Sequence, residues 1–438
     1  MIAHHEVTPD RFAALGSGLG GPAAVADLAA AQRSKRLLLL RHLSTTGADA
    51  GAVDVLIEAD RRDRRAVSEL VDDPLVGAWL AGTVRRHLGH AESAVPLADD
   101  VAQLGALAAV AALRAGVDAE LSTRTRQGRV TLPTLGTAVG CGDGPALITV
   151  AGGRATVSGA SATVRVADDD VRWRPLRRLR ARHGDRVATV AVEDGSPYRD
   201  CYHAPPAGRF SDAEFAAWQD LYAEAWSLLA GRAPERADEL IAGLRSVVPL
   251  TTDDSGVARS GTARDAFGTL GLTRPRSATE LAVTLIHEFQ HSKLSALLDL
   301  VPLVVPGGSE RHFAPWRIDA RPTGGLIQGV YAFLGVADTW RALLAAPGHA
   351  REAAREFAVV RTQVQVGLTA LEGSGELTPR GRVFAGHLRT ALTALLAVPV
   401  PAAAITAADE SLTRRRHRWQ AHNAPSTLSP QDQGMTVL

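Results

Sequence analysis

The sequence predicts an α+β protein that is predominantly helical, with a small antiparallel β-sheet in the middle of the chain. Apolar residues recur at helical spacing over residues 8–120 and 206–422, whereas residues 130–192 carry short β-branched runs separated by glycine and aspartate. Ser211 and Glu214 form an S-x-x-E capping box that opens the second helical part. The chain has 438 residues, of which 46% are hydrophobic, so it can bury a large core.

We expect four regions in chain order. A helical N-terminal region covers residues 1–125, a β-rich region covers 126–205, a second helical region covers 206–422, and a disordered tail covers 423–438. The runs that we expect to form strands are 130–132, 146–150, 155–157, 162–166, 171–173 and 187–192. Because these runs are short and closely spaced, they favour antiparallel pairing.

The most informative segment is a helix expected to begin at residue 277. Ser277 and Glu280 form a capping box ahead of an apolar run, and Pro302 prevents the helix from continuing much further. Within this helix, His287 and His291 are the two histidines of an H-E-x-x-H motif. Residues four apart on a helix lie one above the other, so both imidazoles can converge on one divalent ion about 2.0–2.1 Å away. We therefore predict a gluzincin-like metal helix.

Glu288 and the flanking residues indicate how such a site would work. Glu288 is rotated by about 100° from His287 around the helix, so it can act beside the ion without ligating it firmly. Apolar residues surround the motif, at Leu281, Ile286, Leu294, Leu297 and Leu298. This helix is expected to be mostly buried, and buried imidazoles need a polar partner. The alternative is a chance match to the motif on a surface helix. The apolar residues on both sides of the motif argue against it.

Two histidines alone do not hold a catalytic ion, and a third protein ligand is expected. No Gly and His follow at the offsets of the metzincin motif, so that class is excluded. The candidates that remain are Glu310, His312, Asp319 and Gln328. Gln328 lies in the first turns of the next predicted helix, where an antiparallel neighbour would direct a ligand. The polar stretch 249–263, which precedes the metal helix, is expected to be a loop that borders the site.

Composition and charge exclude several classes of function. With a net charge of +1, the protein has no overall electrostatic field that would attract nucleic acid or an anionic membrane. The two cysteines, Cys141 and Cys201, form no C-x-x-C motif, which fits a reducing compartment and argues against a cysteine-bound metal. There is no signal-like segment and no apolar run of the roughly 20 residues that cross a bilayer, so we expect a cytoplasmic protein. Lys293 is expected to extend its ammonium group to the rim of the metal helix.

Several stretches resemble one known family. They are 132–136 (Leu-Pro-Thr-Leu-Gly), 197–200 (Pro-Tyr-Arg-Asp), 266–268 (Ala-Phe-Gly), 285–294 around the H-E-x-x-H motif, 315–322 (Pro-Trp-Arg-Ile-Asp-Ala-Arg-Pro) and 325–333 (Gly-Leu-Ile-Gln-Gly-Val-Tyr-Ala-Phe). Together they make the chain similar, over nearly its whole length, to the H-E-x-x-H peptide-modification family. The resemblance implies an Fe(II)- and 2-oxoglutarate-dependent oxygenase that β-hydroxylates residues of a ribosomally synthesised precursor peptide (RiPP biosynthesis). Other peptide-maturation enzymes are further expected partners.

The resemblance also implies roles for particular residues. His287 and His291 would bind iron, with Gln328 at the position of the third ligand, where the family often has histidine. Glu288 would orient a ligand or water instead of acting as a general base. The distal carboxylate of 2-oxoglutarate needs a bidentate cationic partner, which Arg317 or Arg321 can supply. The alternative for these arginines is a structural ion-pair network with Asp319.

Two other functions are compatible with the motif. In a zinc peptidase, His287 and His291 would bind zinc, Glu288 would activate water, and Glu310 or His312 would complete the ligand set. In a non-catalytic peptide-binding subunit, the metal would be structural.

Overall fold

A computed structural model describes residues 4–46, 49–202, 204–252 and 258–424. Of the described residues, 54% are helical, and the antiparallel sheets are small, which confirms the predominantly helical α+β class. The helices are α1 Pro9–Gly16, α2 Gly21–Ser44, α3 Ala50–Arg62, α4 Arg64–Val71, α5 Pro74–His87, α6 Leu97–Val101, α7 Gln103–Ala115, α8 Asp212–Arg232, α9 Pro234–Gly243, α10 Ala278–Leu298, α11 Thr323–Leu343, α12 Ala350–Glu372, α13 Pro379–Leu396 and α14 Ala402–Asn423.

The strands form separate sheets within the described ranges. They are β1 Ala119–Arg124, β2 Arg129–Leu132, β3 Gly136–Val139, β4 Pro145–Ala151, β5 Arg154–Ser158, β6 Thr163–Arg165, β7 Trp173–Pro175, β8 Arg178–His183, β9 Arg186–Val192, β10 Ser246–Pro249, β11 Ser260–Gly261, β12 Thr269–Leu272, β13 Arg311–His312 and β14 Arg321–Pro322. The strand orders are β1-β4-β5-β6, β2-β3-β7, β11-β12-β10-β9-β8 and β13-β14. Each run expected to be a strand overlaps a strand of the structure.

The chain divides into two compact units, Met1–Val301 and Pro302–Leu438. The first contains α1–α10 and β1–β12, and the second contains α11–α14 and β13–β14. Of the tail expected over residues 423–438, Asn423 ends α14, and residues 425–438 lie outside the described residues. Among the described residues, no single helix is long and apolar enough to cross a membrane. The bent pair of α1 and α2 is long and apolar enough when the two helices are taken together, by length and composition alone.

The N-terminal helices of the first unit and its antiparallel sheets share one core. The central helix α7 is buried over nearly its whole length and packs against β1 and β4. Gly105 makes this packing close, because a Cβ atom there would lie 1.9 Å from the carbonyl oxygen of Ser122 in β1. Apolar residues from α3, α5 and both antiparallel sheets complete the same core.

A mixed sheet was not expected from the sequence. Its three inner strands, β9, β10 and β12, run parallel, and β8 and β11 pair with them in the antiparallel direction. All four residues of β10 and of β12 are buried. Because a strand buried on both faces shows no alternation of apolar and polar residues, neither one carries a clear sequence signal. Helix α10 packs against β11 and β12.

Helix α10 begins and ends close to the expected positions. The Ser277 hydroxyl accepts a hydrogen bond from the Glu280 backbone N–H at 3.1 Å, which satisfies one donor of the first turn. The Glu280 carboxylate accepts from the Arg276 N–H, one residue before the position that a reciprocal capping box would use. At Ser211 and Glu214 both halves of the box are present.

Lys293 does not reach the rim of α10, so the expected snorkelling side chain is wrong. Its side chain is fully buried, and its ammonium group donates to both carboxylate oxygens of Glu239 on α9 at 2.8 Å. Burial lowers the pKa of Lys293 to about 8, and the charge of Glu239 opposes that shift. Glu239 also accepts from the Gly21 N–H at 3.0 Å and lies 3.7 Å from Arg236. This ion pair joins α10 to α9 and to the start of α2.

The second unit is a helical assembly around α11 and α12. Helix α12 packs against α11, α13 and α14. The Trp316 ring lies against Gly329 of α11 and Gly367 of α12, where a Cβ atom would approach it to within 2.4 Å and 2.6 Å. Trp316 also stacks on Phe333 at 4.8 Å between ring centroids, so it holds the segment before α11 against the helices.

We predict that Glu239→Gln lowers the free energy of unfolding by about 3–5 kcal/mol, because it leaves two buried cations without their carboxylate. Adding Lys293→Met should recover part of that loss, since the double variant removes the uncompensated ammonium group. Urea denaturation of both variants measures the effect. Glu69→Gln, at an exposed ion pair with Arg65, is the control and should leave the midpoint unchanged. Equal effects of Glu239→Gln and Glu69→Gln would contradict the prediction.

Candidate metal centre

The structure brings the two motif histidines together on α10. The Nε2 atoms of His287 and His291 lie 3.2 Å apart, and the two ring planes are inclined by 82°. Two nitrogen ligands that are about 2.0–2.1 Å from one ion and 3.2 Å from each other subtend roughly 100° at that ion. This angle lies between the octahedral and the tetrahedral values. The distance between the two nitrogen atoms is therefore compatible with two ligands of a single ion, and it is also that of a hydrogen bond between the rings.

The environment keeps His287 neutral. Burial, together with the neighbouring His291, lowers the pKa of His287 to about 3. A neutral imidazole keeps a lone pair on one ring nitrogen, which is the form that binds a metal. His287 thus needs no deprotonation at neutral pH before it can coordinate an ion.

Glu288 is buried, and hydroxyl groups hold its carboxylate. Ser260 donates to Oε1 at 2.7 Å, and Thr262 donates to Oε2 at 2.8 Å. The same Thr262 hydroxyl lies 2.9 Å from the backbone carbonyl oxygen of Glu288. Glu288 Oε1 is 3.9 Å from His287 Nε2, so the carboxylate lies beside the histidine pair. Both carboxylate oxygens are therefore oriented by side chains of the protein.

The residues that hold Glu288 come from the polar stretch 249–263. Ser260 lies in β11 and Thr262 directly follows this strand, while residues 253–257 lie outside the described residues. The sequence predicted that this stretch borders the site, but it did not single out the two hydroxyl residues. The one available signal was the polar character of the stretch, which does not show which of its side chains face α10.

The rest of α10 is held by specific contacts around the motif. The Phe289 ring lies against Gly243, where a Cβ atom would approach the ring to 2.4 Å. The Gln290 amide donates to the carbonyl oxygen of Gly18 at 2.8 Å. With Lys293 paired to Glu239, each of these side chains ties the helix to another part of the first unit. The histidines are thus carried on a rigid support.

Within the described part of the chain, the common ionisable ligand types do not supply a third ligand. Among the residues that the structure describes, no three side chains of His, Cys, Asp or Glu are grouped so that they could hold a metal ion. Glu288 is adjacent to the histidines but is bound to hydroxyl groups. An ion at the histidine pair would need a ligand of another type, such as an amide oxygen, a cosubstrate or water.

The other candidates belong to the second unit. Gln328 lies in the second turn of α11 and is half-buried. Glu310 accepts from the Gly375 N–H at 3.0 Å, and His312 lies 2.9 Å from the hydroxyl oxygen of Thr323. Glu310 and His312 therefore already make contacts within their own unit, and the assignment of Gln328 stays a prediction.

Arg317, Asp319 and Arg321 form an ion-pair network. Arg317 Nε donates to one oxygen of Asp319 at 2.8 Å, and Arg321 Nη1 donates to the other at 3.0 Å. Although partial burial opposes it, the hydrogen bonds from the two arginines lower the pKa of Asp319. The side chain of Arg321 is 34% exposed and that of Arg317 is 54% exposed. The network brings both arginines together and leaves part of each guanidinium group accessible.

No family model matches the chain, and no curated protein matches it either.

We predict that His287→Ala and His291→Ala each remove at least nine-tenths of the Fe(II) that the wild-type chain retains after anaerobic loading and gel filtration. Loss of one imidazole leaves too few ligands to keep the ion. Elemental analysis of the eluted protein gives the metal content. His183→Ala is the matched control, because His183 is an exposed histidine of the same unit that contacts Ser227. Full retention of iron by either motif variant would show that the pair does not bind it.

Proposed function

We propose that the protein is an Fe(II)- and 2-oxoglutarate-dependent oxygenase that hydroxylates residues of a ribosomally synthesised precursor peptide, at a β-carbon. The sequence resemblance to the H-E-x-x-H peptide-modification family supports this function. The observation that carries it is the hydrogen bonding of Glu288. Its two carboxylate oxygens accept hydrogen bonds from Ser260 and Thr262. This arrangement suits a carboxylate that orients its surroundings better than one that must take a proton from water.

The ligand set in this proposal is His287, His291 and Gln328, on a gluzincin-like metal helix and the helix that follows it. All three ligands are neutral, so they leave the double positive charge of the ion uncompensated. An anionic chelating cosubstrate such as 2-oxoglutarate would compensate that charge, which water would not. The charge type of the ligands therefore favours a keto acid at the site.

With iron bound, the reaction is the oxidation of a peptide C–H bond by dioxygen, in which 2-oxoglutarate becomes succinate and carbon dioxide and the peptide gains one oxygen atom. The residues of the chain hold the site in position. His287 and His291 present their nitrogen atoms on a rigid helix, and Glu288 fixes β11 and the residues after it beside the pair. Preorganisation of this kind raises the rate because the groups need not reorganise during the reaction.

Arg321 and Arg317 are the proposed partners of the distal carboxylate of 2-oxoglutarate. A guanidinium group binds a carboxylate through two parallel hydrogen bonds. Asp319 already accepts hydrogen bonds from both arginines, so it would hold them in place while their remaining N–H groups bind the cosubstrate. Arg321 is the less exposed of the two, which makes it the stronger candidate.

Two other functions give different expectations. A zinc peptidase needs Glu288 as a general base and a further ligand from Glu310 or His312. Glu288, Glu310 and His312 already make contacts within their own units. These contacts favour the zinc peptidase less than the oxygenase. A non-catalytic peptide-binding subunit would bind metal and peptide without turnover.

We place the protein in the cytoplasm, with the precursor peptide as its partner and with no nucleic acid or membrane involved. Cys141 and Cys201 are both free thiols, which fits a reducing compartment.

We predict that the chain, loaded anaerobically with Fe(II) and then incubated in air with 2-oxoglutarate and its precursor peptide, forms succinate and adds one oxygen atom to the peptide. Mass spectrometry of the peptide measures the product. Glu288→Gln should keep a measurable share of this activity, because the oxygenase does not use Glu288 as a proton acceptor. Peptide fragments in place of hydroxylated peptide would establish the peptidase. No change in the peptide, with metal bound, would favour the non-catalytic subunit.

We predict that Arg321→Ala raises the KM for 2-oxoglutarate at least tenfold, because a bidentate charge-assisted contact is lost. Arg317→Ala should have a smaller effect, since Arg317 is more exposed. Asp319→Asn is the matched control: it disrupts the same network but leaves both guanidinium groups free to bind the cosubstrate. Initial rates at varied 2-oxoglutarate concentration give the three KM values. If the KM is unchanged in both arginine variants, or rises equally in all three, the network is structural and the cosubstrate binds elsewhere.

A further inference from the structure

A polar cavity of the first unit has no part in the proposed function. Its volume is about 610 Å³, within the range of roughly 300–1,000 Å³ that is typical of ligand sites. Its walls are the segment that leads into α6, the turn between β1 and β2, the residues before β4 and the segment 195–199 that follows β9. Four arginines line it, namely Arg124, Arg126, Arg129 and Arg199. Positive charge is therefore concentrated around this cavity.

Two of these arginines lie directly opposite each other on a tight hairpin. Arg126 and Arg129 exchange backbone N–H to carbonyl hydrogen bonds at 2.8 Å and 3.1 Å, and only Gln127 and Gly128 lie between them. Both turn residues have positive φ angles, of 53° and 66°, as a type I′ turn requires. Like charges at opposite positions of a hairpin destabilise it. The hairpin thus brings two guanidinium groups together at a cost in stability.

Aspartates compensate the charge of two of the four arginines. Arg124 Nε donates to Asp99 at 2.5 Å, and Arg126 donates to Asp100. Asp143 also lines the cavity, but it accepts a hydrogen bond from the backbone N–H of the turn glycine at 2.8 Å. Arg124 and Arg126 therefore already have counter-ions, and these contacts hold the walls in place.

Arg129 and Arg199 are not compensated in this way. Within the described ranges, neither one forms an ion pair, and the exposed side chain of Arg129 makes no hydrogen bond. Arg199 donates from Nε and Nη1 to the backbone carbonyl oxygens of Ser196 and Ala207 at 3.0 Å and 2.6 Å. Burial lowers the pKa of Arg199, nearby acidic residues oppose that shift, and the positive charge of Arg129 adds to it. Two cations without a bound carboxylate therefore lie near each other at the cavity.

The wall indicates which kind of anion fits these two arginines. A guanidinium group binds a carboxylate through two parallel hydrogen bonds. Asp99 and Asp143 in the same wall would repel a chain with a negative charge on every unit, such as nucleic acid. Apolar wall lies between the charged groups, supplied by Ala94, Val95, Pro96 and Pro197. A polypeptide in which acidic and apolar side chains alternate matches this pattern.

We propose that the cavity binds an acidic segment of a polypeptide, with Arg129 and Arg199 as the partners of its carboxylates. Arg124 and Arg126, held by their aspartates, add positive potential around the bound segment. The cost of the facing charges on the hairpin is then relieved when the acidic segment binds.

The polypeptide is the precursor peptide, and this part of the inference rests on the proposed function. The segment 195–199 continues from the carboxyl end of β9, and Ser260 in β11 pairs with Leu272 at the carboxyl end of β12. These positions lie at the same end of the mixed sheet, and Ser260 holds Glu288 beside the histidine pair. In the order β11-β12-β10-β9, three strand spacings of about 4.8 Å separate the two strands, or about 14 Å. A peptide bound in the cavity can extend over that distance toward the histidines, whereas a free dicarboxylate cannot.

Calorimetric titration of the full chain, without iron or 2-oxoglutarate, tests the site. The probes are the pentapeptide Glu-Leu-Glu-Leu-Glu, with both termini blocked, and its Gln-Leu-Gln-Leu-Gln counterpart, which has nearly the same shape without the charge. We expect the acidic peptide to bind at least tenfold more tightly at about 150 mM salt. Equal binding of the two peptides, or no binding of the acidic one, would overturn the proposal.

Arg129→Glu provides a second test, with Arg154→Glu as the matched control. Arg154 is an exposed arginine that pairs with Ala151 at the end of β4 remote from the cavity, so both variants change the net charge equally. Arg129→Glu should weaken binding of the acidic peptide at least tenfold. Arg154→Glu should weaken it less than twofold, because salt at about 150 mM screens exposed charges beyond about 8 Å. Equal weakening in the two variants would show an effect of net charge alone and would overturn the assignment.

Thermal unfolding of Arg129→Glu separates a binding residue from a structural one. The variant places opposite charges on the facing positions of the hairpin, so its thermal midpoint should not fall below that of the wild type. A clear fall would show that Arg129 serves the fold, and would contradict its assignment as a binding residue.

Glutarate and a single-stranded oligodeoxythymidine distinguish the sources of the anion. Tighter binding of the acidic pentapeptide than of glutarate supports the peptide source, and the reverse order overturns it. Tighter binding of the oligodeoxythymidine than of the pentapeptide would assign the cavity to phosphate groups and would also overturn the proposal. These titrations involve no turnover, so they can fail while hydroxylation is observed, and they can succeed when it is not.

Discussion

The burial of polar groups on α10 is the constraint on which the rest of the first unit depends. A helix buried among other elements cannot leave charged and amide side chains without partners, since each would cost free energy. Lys293 is paired with Glu239, Gln290 is bound to a backbone carbonyl oxygen, and Glu288 is held by two hydroxyl groups. Each contact joins α10 to a different part of the chain, namely α9, the segment before α2 and the residues around β11. The polar groups of α10 thus specify where the helix lies.

That same constraint shapes the chemistry available at the histidine pair. His287 is neutral because burial disfavours its charged form, and it lies within ligand distance of a common point with His291. Glu288 lies next to the histidine pair, but its carboxylate accepts hydrogen bonds from Ser260 and Thr262. It therefore holds β11 and the residue that follows this strand in place. A site of this kind offers nitrogen ligands on a rigid helix and leaves further coordination positions to a third ligand and a cosubstrate. This division of roles is what separates the proposed oxygenase from a peptidase with the same motif.

The sequence predicted those parts of the structure whose signal is local. The runs in residues 130–192 became strands because β-branched residues and turn residues alternate there, and α10 was marked by its cap and by Pro302. The strands β10 and β12 gave no such signal, because a four-residue strand buried on both faces has no periodicity. The partners of Glu288 and Lys293 were also not predictable, because they come from segments far apart in the chain that meet only through the fold.

The central claim is that the histidine pair holds iron together with 2-oxoglutarate, and the visible absorption of that complex tests it most directly. Anaerobic addition of 2-oxoglutarate to the Fe(II)-loaded chain should produce the metal-to-ligand charge-transfer band of a chelated keto acid, which saturates at one equivalent of each. The band should be absent from His287→Ala and His291→Ala and should persist in Glu288→Gln. Absence of the band from the wild-type chain, or its persistence in both histidine variants, would contradict the account.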